Sequence, residues 1–207
     1  MEGGYHVKQQ GFTVWFTGLP FSGKKRLASM LSAKLESLGY AGRVLDGGKI
    51  RREFNRRLGY SRDDVYQNIR RICFECEMLT ENGIAALAVT ISPYRDLRRE
   101  CRSRIGRFIE VYCKCPLAEL KKRDVKGLYR KAEEKKIPDV AGISAPFEEP
   151  EKAEVVFEPD KENYDQGLAR ILSTLQLLGF IEAPPKKILT DEEEAMILRR
   201  LKDLGYL

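Results

Sequence analysis

Histidine is nearly missing from this chain of 207 residues, which holds a single copy, His6, near its start. One imidazole at a chain end excludes histidine-based acid–base catalysis as the main chemistry. No apolar run approaches the ~20 residues needed to cross a bilayer, and Met1–Gly11 has no apolar signal core. The expectation is a cytoplasmic protein with no membrane partner. Cysteines number five, an odd count: Cys73, Cys76, Cys101, Cys113 and Cys115. Cys73 and Cys76 fall inside a helical pattern and Cys113 and Cys115 inside a strand pattern, so they read as buried reduced thiols rather than metal ligands or disulfides. Internal repeats are absent. With 43% hydrophobic residues, the chain suffices for one good core. The expected division is a main domain over residues 1–182 and a linker with a C-terminal helix over 183–207.

A net charge of +6 points to anionic ligands. The basic residues gather around motifs instead of forming a tail, so nucleotide phosphates explain them more simply than nucleic acid, which is not expected as a partner.

The stretch over residues 12–31 organises the rest. Phe12–Thr17 is an apolar, β-branched run of the kind buried in a parallel sheet. Gly18, Leu19, Pro20, Phe21, Ser22, Gly23 and Lys24 follow, and then a helical pattern with Leu27, Met30, Leu31 and Leu35 on one face. GxxxxGK between strand and helix is a phosphate-binding loop, whose backbone amides and helix N-terminus face phosphates while its lysine reaches the terminal ones. Gly18, Ser22, Gly23, Lys24 and Lys25 are therefore the nucleotide-binding candidates. A working loop carries Ser or Thr after the lysine, because that hydroxyl holds Mg²⁺. Here Lys25 and Arg26 follow, and an ammonium has no lone pair to offer a metal. Mg²⁺ is accordingly doubtful as a cofactor and no residue is assigned as its ligand. Phe21 adds bulk where a tight loop favours a small residue.

Further along, Arg43–Asp46 reads as a second strand, residues 50–57 as a short basic helix, and Ser61 as the cap of a long helix ending near Asn82-Gly83. Ile84–Ile91 is a buried-strand candidate, followed by a helix over 96–105 and a strand over 108–113. Pro116 opens a further helix at its first position. Residues 124–150 are charged, proline-punctuated and poor in core positions, and read as a lid. A strand at 154–157 and a helix over 164–178 follow. Pro184–Lys187 reads as a linker, and Thr190 and Glu193 as a capping box opening a last helix with Ile197, Leu198, Leu201 and Leu204 on its apolar side. That helix packs on its own domain or docks on a partner. Strands alternating with helices predict an α/β fold of the P-loop NTPase type: a doubly wound, mostly parallel sheet flanked by helices, with a lid and a C-terminal helical tail.

Several blocks in this order resemble adenylylsulfate (APS) kinases over roughly residues 5–178. They are QGFTVWFTGL from Gln10, Leu45-Asp46-Gly47, NRRLGYS from Asn55, NIRRI from Asn68, ISPYR from Ile91, RDVKGLY from Arg123 and GISAPFEEP from Gly142. Such enzymes transfer the γ-phosphoryl of MgATP to the 3′-hydroxyl of APS, giving PAPS, and are commonly homodimers. The resemblance implies ATP, APS and PAPS as ligands. Gly23 and Lys24 would hold ATP phosphates, with Arg123 near the adenine. Arg51, Asn68 and Arg71 would grip APS, Tyr60 would stack on its adenine, and Ile91 and Ser92 would line its pocket. Lys126 and Tyr129 would sit on the lid. Lys24, Asp46 and Lys126 are the implied catalytic candidates.

The departures from the family fall on the chemistry. Where the family has Asp-Gly-Asp after the second strand, this chain has Asp46-Gly47-Gly48, and Val140 replaces an aromatic of the lid. Three readings stay open from sequence: a degraded kinase that still binds adenylyl nucleotides in a regulatory role, an active APS kinase with rewired metal handling, and a P-loop kinase for another small phosphorylated or sulfated acceptor.

Overall fold

The computed structural model describes residues 10–182 and 190–206, so His6 and the expected linker at 184–187 lie outside the described residues. The strands are β1 (Phe12–Thr17), β2 (Gly42–Asp46), β3 (Ala85–Val89), β4 (Phe108–Cys113) and β5 (Val155–Phe157). The helices are α1 (Lys24–Ser37), α2 (Gly47–Glu53), α3 (Arg62–Glu81), α4 (Arg95–Ile105), α5 (Leu117–Lys122), α6 (Leu128–Glu133), α7 (Tyr164–Leu177) and α8 (Asp191–Asp203).

All six residues of β1 are buried. Their alternation sends Phe12, Val14 and Phe16 into one core and Trp15 into another, so both faces of the strand need cover. A central parallel strand meets that need. The sheet runs β2-β3-β1-β4-β5 with every pairing parallel. On one face Leu27, Leu31 and Leu35 of α1 and Ile171, Leu172 and Leu175 of α7 close the first core. On the other, Ile69, Ile72, Cys73 and Cys76 of α3 and Leu97 and Cys101 of α4 close the second. All five cysteines are free and buried, although β4 ends at Cys113 and leaves Cys115 outside the strand expected to hold it.

Register brings the site together. Phe16 pairs with Val89, and Asp46 pairs with the same Val89. The loop after β1, the end of β2 and the loop after β3 therefore open side by side at the carboxyl edge, where open α/β sheets bind ligands.

Local chemistry shifts several expected boundaries. The basic helix expected over 50–57 runs Gly47–Glu53 instead, because Asp46 Oδ1 accepts from the amides of Gly48 (3.0 Å) and Lys49 (3.1 Å) and starts the helix early. Pro116 is the N-cap of α5 rather than its first residue. The strand expected over 84–91 shortens to Ala85–Val89. Residues 124–150, expected to hold little core, contain α6 and a small core of their own, in which Tyr129, Ala132 and Val140 pack with Cys115 and Leu120. In α8, Thr190 and Glu193 form the capping box, and Ile197 and Leu201 pack on Ala169, Leu177 and Leu178 of α7 and its end. The buried side of α8 thus rests on its own chain. Leu198, expected on that side, is 38% exposed.

A charged seam crosses the second face. Arg98 Nε lies 2.7 Å from Glu110 Oε1, with side-chain exposures of 3% and 9%, and its other nitrogens donate to Ser92 O (2.6 Å) and Glu148 O (2.7 Å). Arg98 thereby ties the end of the segment over 124–150 to the loop after β3. Replacing Arg98 with Met strands the Glu110 carboxylate in the core and is expected to destabilise the fold by about 3–5 kcal/mol. Urea unfolding measures the loss, and the double variant R98M/E110L should recover most of it.

Candidate nucleotide site

The loop between β1 and α1 bends at Gly18, whose φ is 138° and where a Cβ would meet Cys113 O at 2.5 Å. Gly23 is the left-handed N-cap of α1, with φ 87°. Between them Phe21 also takes a positive φ, 63°, a conformation that strains a side chain with a Cβ. Its ring points outward, 36% exposed, and meets Tyr129 edge-on at 5.8 Å. The bulk that looked troublesome is thus turned out of the loop.

Lys24 is buried and folded back into the loop. Its ammonium donates to Gly18 O (2.8 Å), Leu19 O (2.7 Å) and Ser22 Oγ (3.2 Å). Burial lowers its pKa to about 8. Lys25 turns the other way. Its Nζ lies 2.9 Å from Asp46 Oδ2, so the residue standing where the hydroxyl was expected clasps the carboxylate at the end of β2. Asp46 then uses both oxygens, one on Lys25 and one on the amides that start α2. Partial burial works against its charge, but the Lys25 ammonium and those amides outweigh it and hold the pKa below the usual carboxylate value.

Two cavities meet here, sharing Lys24 and Val89. The first, about 360 Å³, is lined by the loop from Phe21 to Arg26, Val89 and Arg123. The second, about 470 Å³, has Lys24, Asp46 and Gly48 at one side, Arg51, Tyr60 and Asn68 at another, and an apolar wall that includes Ile91, Ile137 and Val140. Among their described lining residues Asp46 is the one carboxylate.

Most of the sequence candidates converge on these cavities. Arg51 stacks its guanidinium over Tyr60 at 4.2 Å, a cation–π contact at the cavity wall. Ser92 lines the cavity, but its hydroxyl already accepts from Trp15 Nε1 (3.0 Å) and donates to Thr17 Oγ1 (2.9 Å). Four candidates line neither cavity, Gly18 at the bend of the loop and three others. Arg71 bonds to Asn55 Oδ1, and Asn55 Nδ2 donates to Asn68 Oδ1 (2.8 Å), so Arg71 stands behind the cavity wall in a separate hollow with Phe54 and Arg57. Tyr129 is fully buried and donates its hydroxyl to Pro20 O (2.9 Å), fastening α6 beneath the loop instead of facing the cavity. Lys126 is exposed and lines neither cavity. The sequence reading missed Asn55, the bridge between Asn68 and Arg71, although it stands inside the NRRLGYS block. It also missed Tyr164, whose hydroxyl crowds Gly23 and whose ring carries Arg26 at 4.3 Å, and nothing in the pattern marks that contact.

Entering phosphates would draw Lys24 off its carbonyls and favour its charged form. Below pH ~8 the lysine is already protonated, whereas above it binding must take up a proton, so pyrophosphate affinity should fall by up to about tenfold per pH unit between pH ~8 and the bound-state pKa. Calorimetry in buffers of different ionisation enthalpy reads this directly, and a pH-independent affinity with no proton uptake would overturn it.

Comparison with known proteins bears on the same residues. The family profile for adenylylsulphate kinase matches residues 10–158. The chain is 43% identical over 178 residues to the adenylyl-sulfate kinase of Rippkaea orientalis, covering 86% of this chain and 98% of that protein. It is 42% identical over 175 residues to the adenylyl-sulfate kinase of Gloeothece citriformis, covering 84% and 99%. In three dimensions it is similar to the Mycobacterium tuberculosis APS kinase in complex with AMPPNP and APS, with a TM-score of 0.73 and 34% identity over 84% of this chain and 99% of that one. The loop, the end of β2 and the neighbouring cavity occur in a sequence matched along nearly the whole length of these relatives, and the chain belongs to the adenylylsulfate kinase family.

Proposed function

We propose that this chain binds adenylyl nucleotides in the two cavities while its Mg²⁺-dependent phosphoryl transfer is strongly weakened, which suits a regulatory role. The carrying observation is the Lys25–Asp46 ion pair. Mg²⁺ takes oxygen ligands at about 2.0–2.1 Å in octahedral array. At this site an ammonium replaces the hydroxyl, Gly48 has no side chain, and the remaining carboxylate is already held by a cation and two amides. These residues do not fit a divalent ion.

The rest of the site supports binding. The M. tuberculosis relative was solved with AMPPNP and APS. By likeness, the loop cavity with Lys24 and Arg123 would take the ATP phosphates and base. The larger cavity would take APS or PAPS, with Tyr60 offering an aromatic face and Arg51 a cation. Lys24 can follow a transferred phosphoryl group, but positioning and charge neutralisation supply nearly all of such catalysis, and losing one stabiliser commonly costs about 10²–10³ in rate.

Restoration tests the reading. A Cβ on Gly48 would meet only the side-chain ends of Asp46 (3.3 Å) and Arg52 (3.4 Å), so an aspartate fits there with small adjustments. PAPS formation by the wild type is expected at least about 10²-fold below the 1–100 per second typical of kinases. Lys25→Ser and Gly48→Asp should each do little alone, and the pair together should gain more than the product of the two. Release of ADP and PAPS is the measurement. Ordinary turnover by the wild type would refute the weakened-site reading and favour an active enzyme with rewired metal handling.

A further inference from the structure

We infer that Lys25 is a resident cation of the loop cavity, so that this chain takes nucleoside polyphosphates as the metal-free anion and discriminates against their Mg²⁺ complexes. The inference rests on the reading of that cavity as a nucleotide site and adds which form of the nucleotide it selects.

Charge lining the cavity carries it. Lys24, Lys25, Arg26 and Arg123 line the space, and no carboxylate does so among the described residues. A free triphosphate brings about four negative charges to these four cations. Its Mg²⁺ complex brings half that charge, together with a divalent cation that four positive side chains repel. Geometry carries it further. Lys25 stands in the first turn of α1, beside the phosphate-facing amides, and its Nζ reaches Asp46 Oδ2 at 2.9 Å. The ammonium thus occupies the side of the site where a metal would bridge loop and carboxylate. The pair is open to solvent, with side-chain exposures of 73% for Lys25 and 24% for Asp46, and so exposed an ion pair is weak enough to yield to a multiply charged phosphate. Asp46 does not lose its place when Lys25 leaves, because its other oxygen stays on the amides of Gly48 and Lys49. The lysine can therefore swing from carboxylate to phosphate without unseating α2. No bond forms or breaks in this exchange; one ion pair replaces another.

Calorimetry with ATP, once in EDTA and once in excess Mg²⁺, tests the inference on the full chain. The wild type should bind ATP at least about tenfold more tightly in EDTA than with ATP held as its Mg²⁺ complex. Lys25→Met should lose about tenfold or more of the affinity for free ATP, the scale of one charge-assisted bond, and with it the preference for EDTA. Lys25→Arg should keep both, which separates a charge effect from a local change of fold, and melting curves check that each variant is folded. Tighter binding in Mg²⁺ by the wild type, or an undiminished EDTA preference in Lys25→Met, would overturn the inference while leaving nucleotide binding standing. Absence of ATP, APS and PAPS binding in both buffers would remove the nucleotide reading itself, and this inference with it.

Discussion

Burial of β1 on both faces is the constraint from which the site follows. A strand with Phe16 in one core and Trp15 in the other must lie inside a parallel sheet, and parallel strands deliver their carboxyl ends to one edge. Because β1 and β2 both register on β3 at Val89, Gly18, Asp46 and the loop at Ser92 have no other place to go. The candidate site residues are therefore positioned by the hydrophobic core, while the exposed charge of Lys25 at this edge stands outside it.

That separation lets a sheet shared with adenylylsulfate kinases carry Lys25 and Gly48 at its edge. Lys25 and Gly48 lie in the first turns of α1 and α2, where side chains face the cavity and contribute little to either core. The two residues are mutually consistent. An ammonium in place of a hydroxyl needs an anion, and Asp46 supplies it. Glycine at position 48 leaves the capping bonds of Asp46 undisturbed, and a side chain there would ask only small adjustments of the Asp46 and Arg52 side-chain ends. The exposed ion pair adds little to stability, on the order of 0–1 kcal/mol.

Much of the fold was legible in the sequence because its elements are set by local chemistry. Ser61 caps α3, Thr190 and Glu193 box α8, and buried runs mark the strands. What escaped depended on contacts between segments distant in sequence. The early start of α2 comes from the Asp46 carboxylate, which the sequence reading assigned to catalysis alone. The segment over 124–150 looked coreless because its apolar residues are spaced irregularly, and only the fold brings Tyr129 and Val140 against Cys115 and Leu120. In the site, Arg71 and Tyr129 stand inside matching motifs yet do not line the cavity: motif membership reports that a residue is needed nearby, not which way it points. The Lys25–Asp46 contact spans two elements and could be inferred only as the loss of a ligand, not as the gain of an ion pair.

The most direct test is a crystal structure of the chain grown with AMPPNP and Mn²⁺, with anomalous data collected to locate the metal. The expected result is Lys25 Nζ on a phosphate oxygen or still on Asp46, with no anomalous peak ligated by Asp46. A manganese ion bridging Asp46 and the phosphates, with Lys25 turned out to solvent, would contradict it.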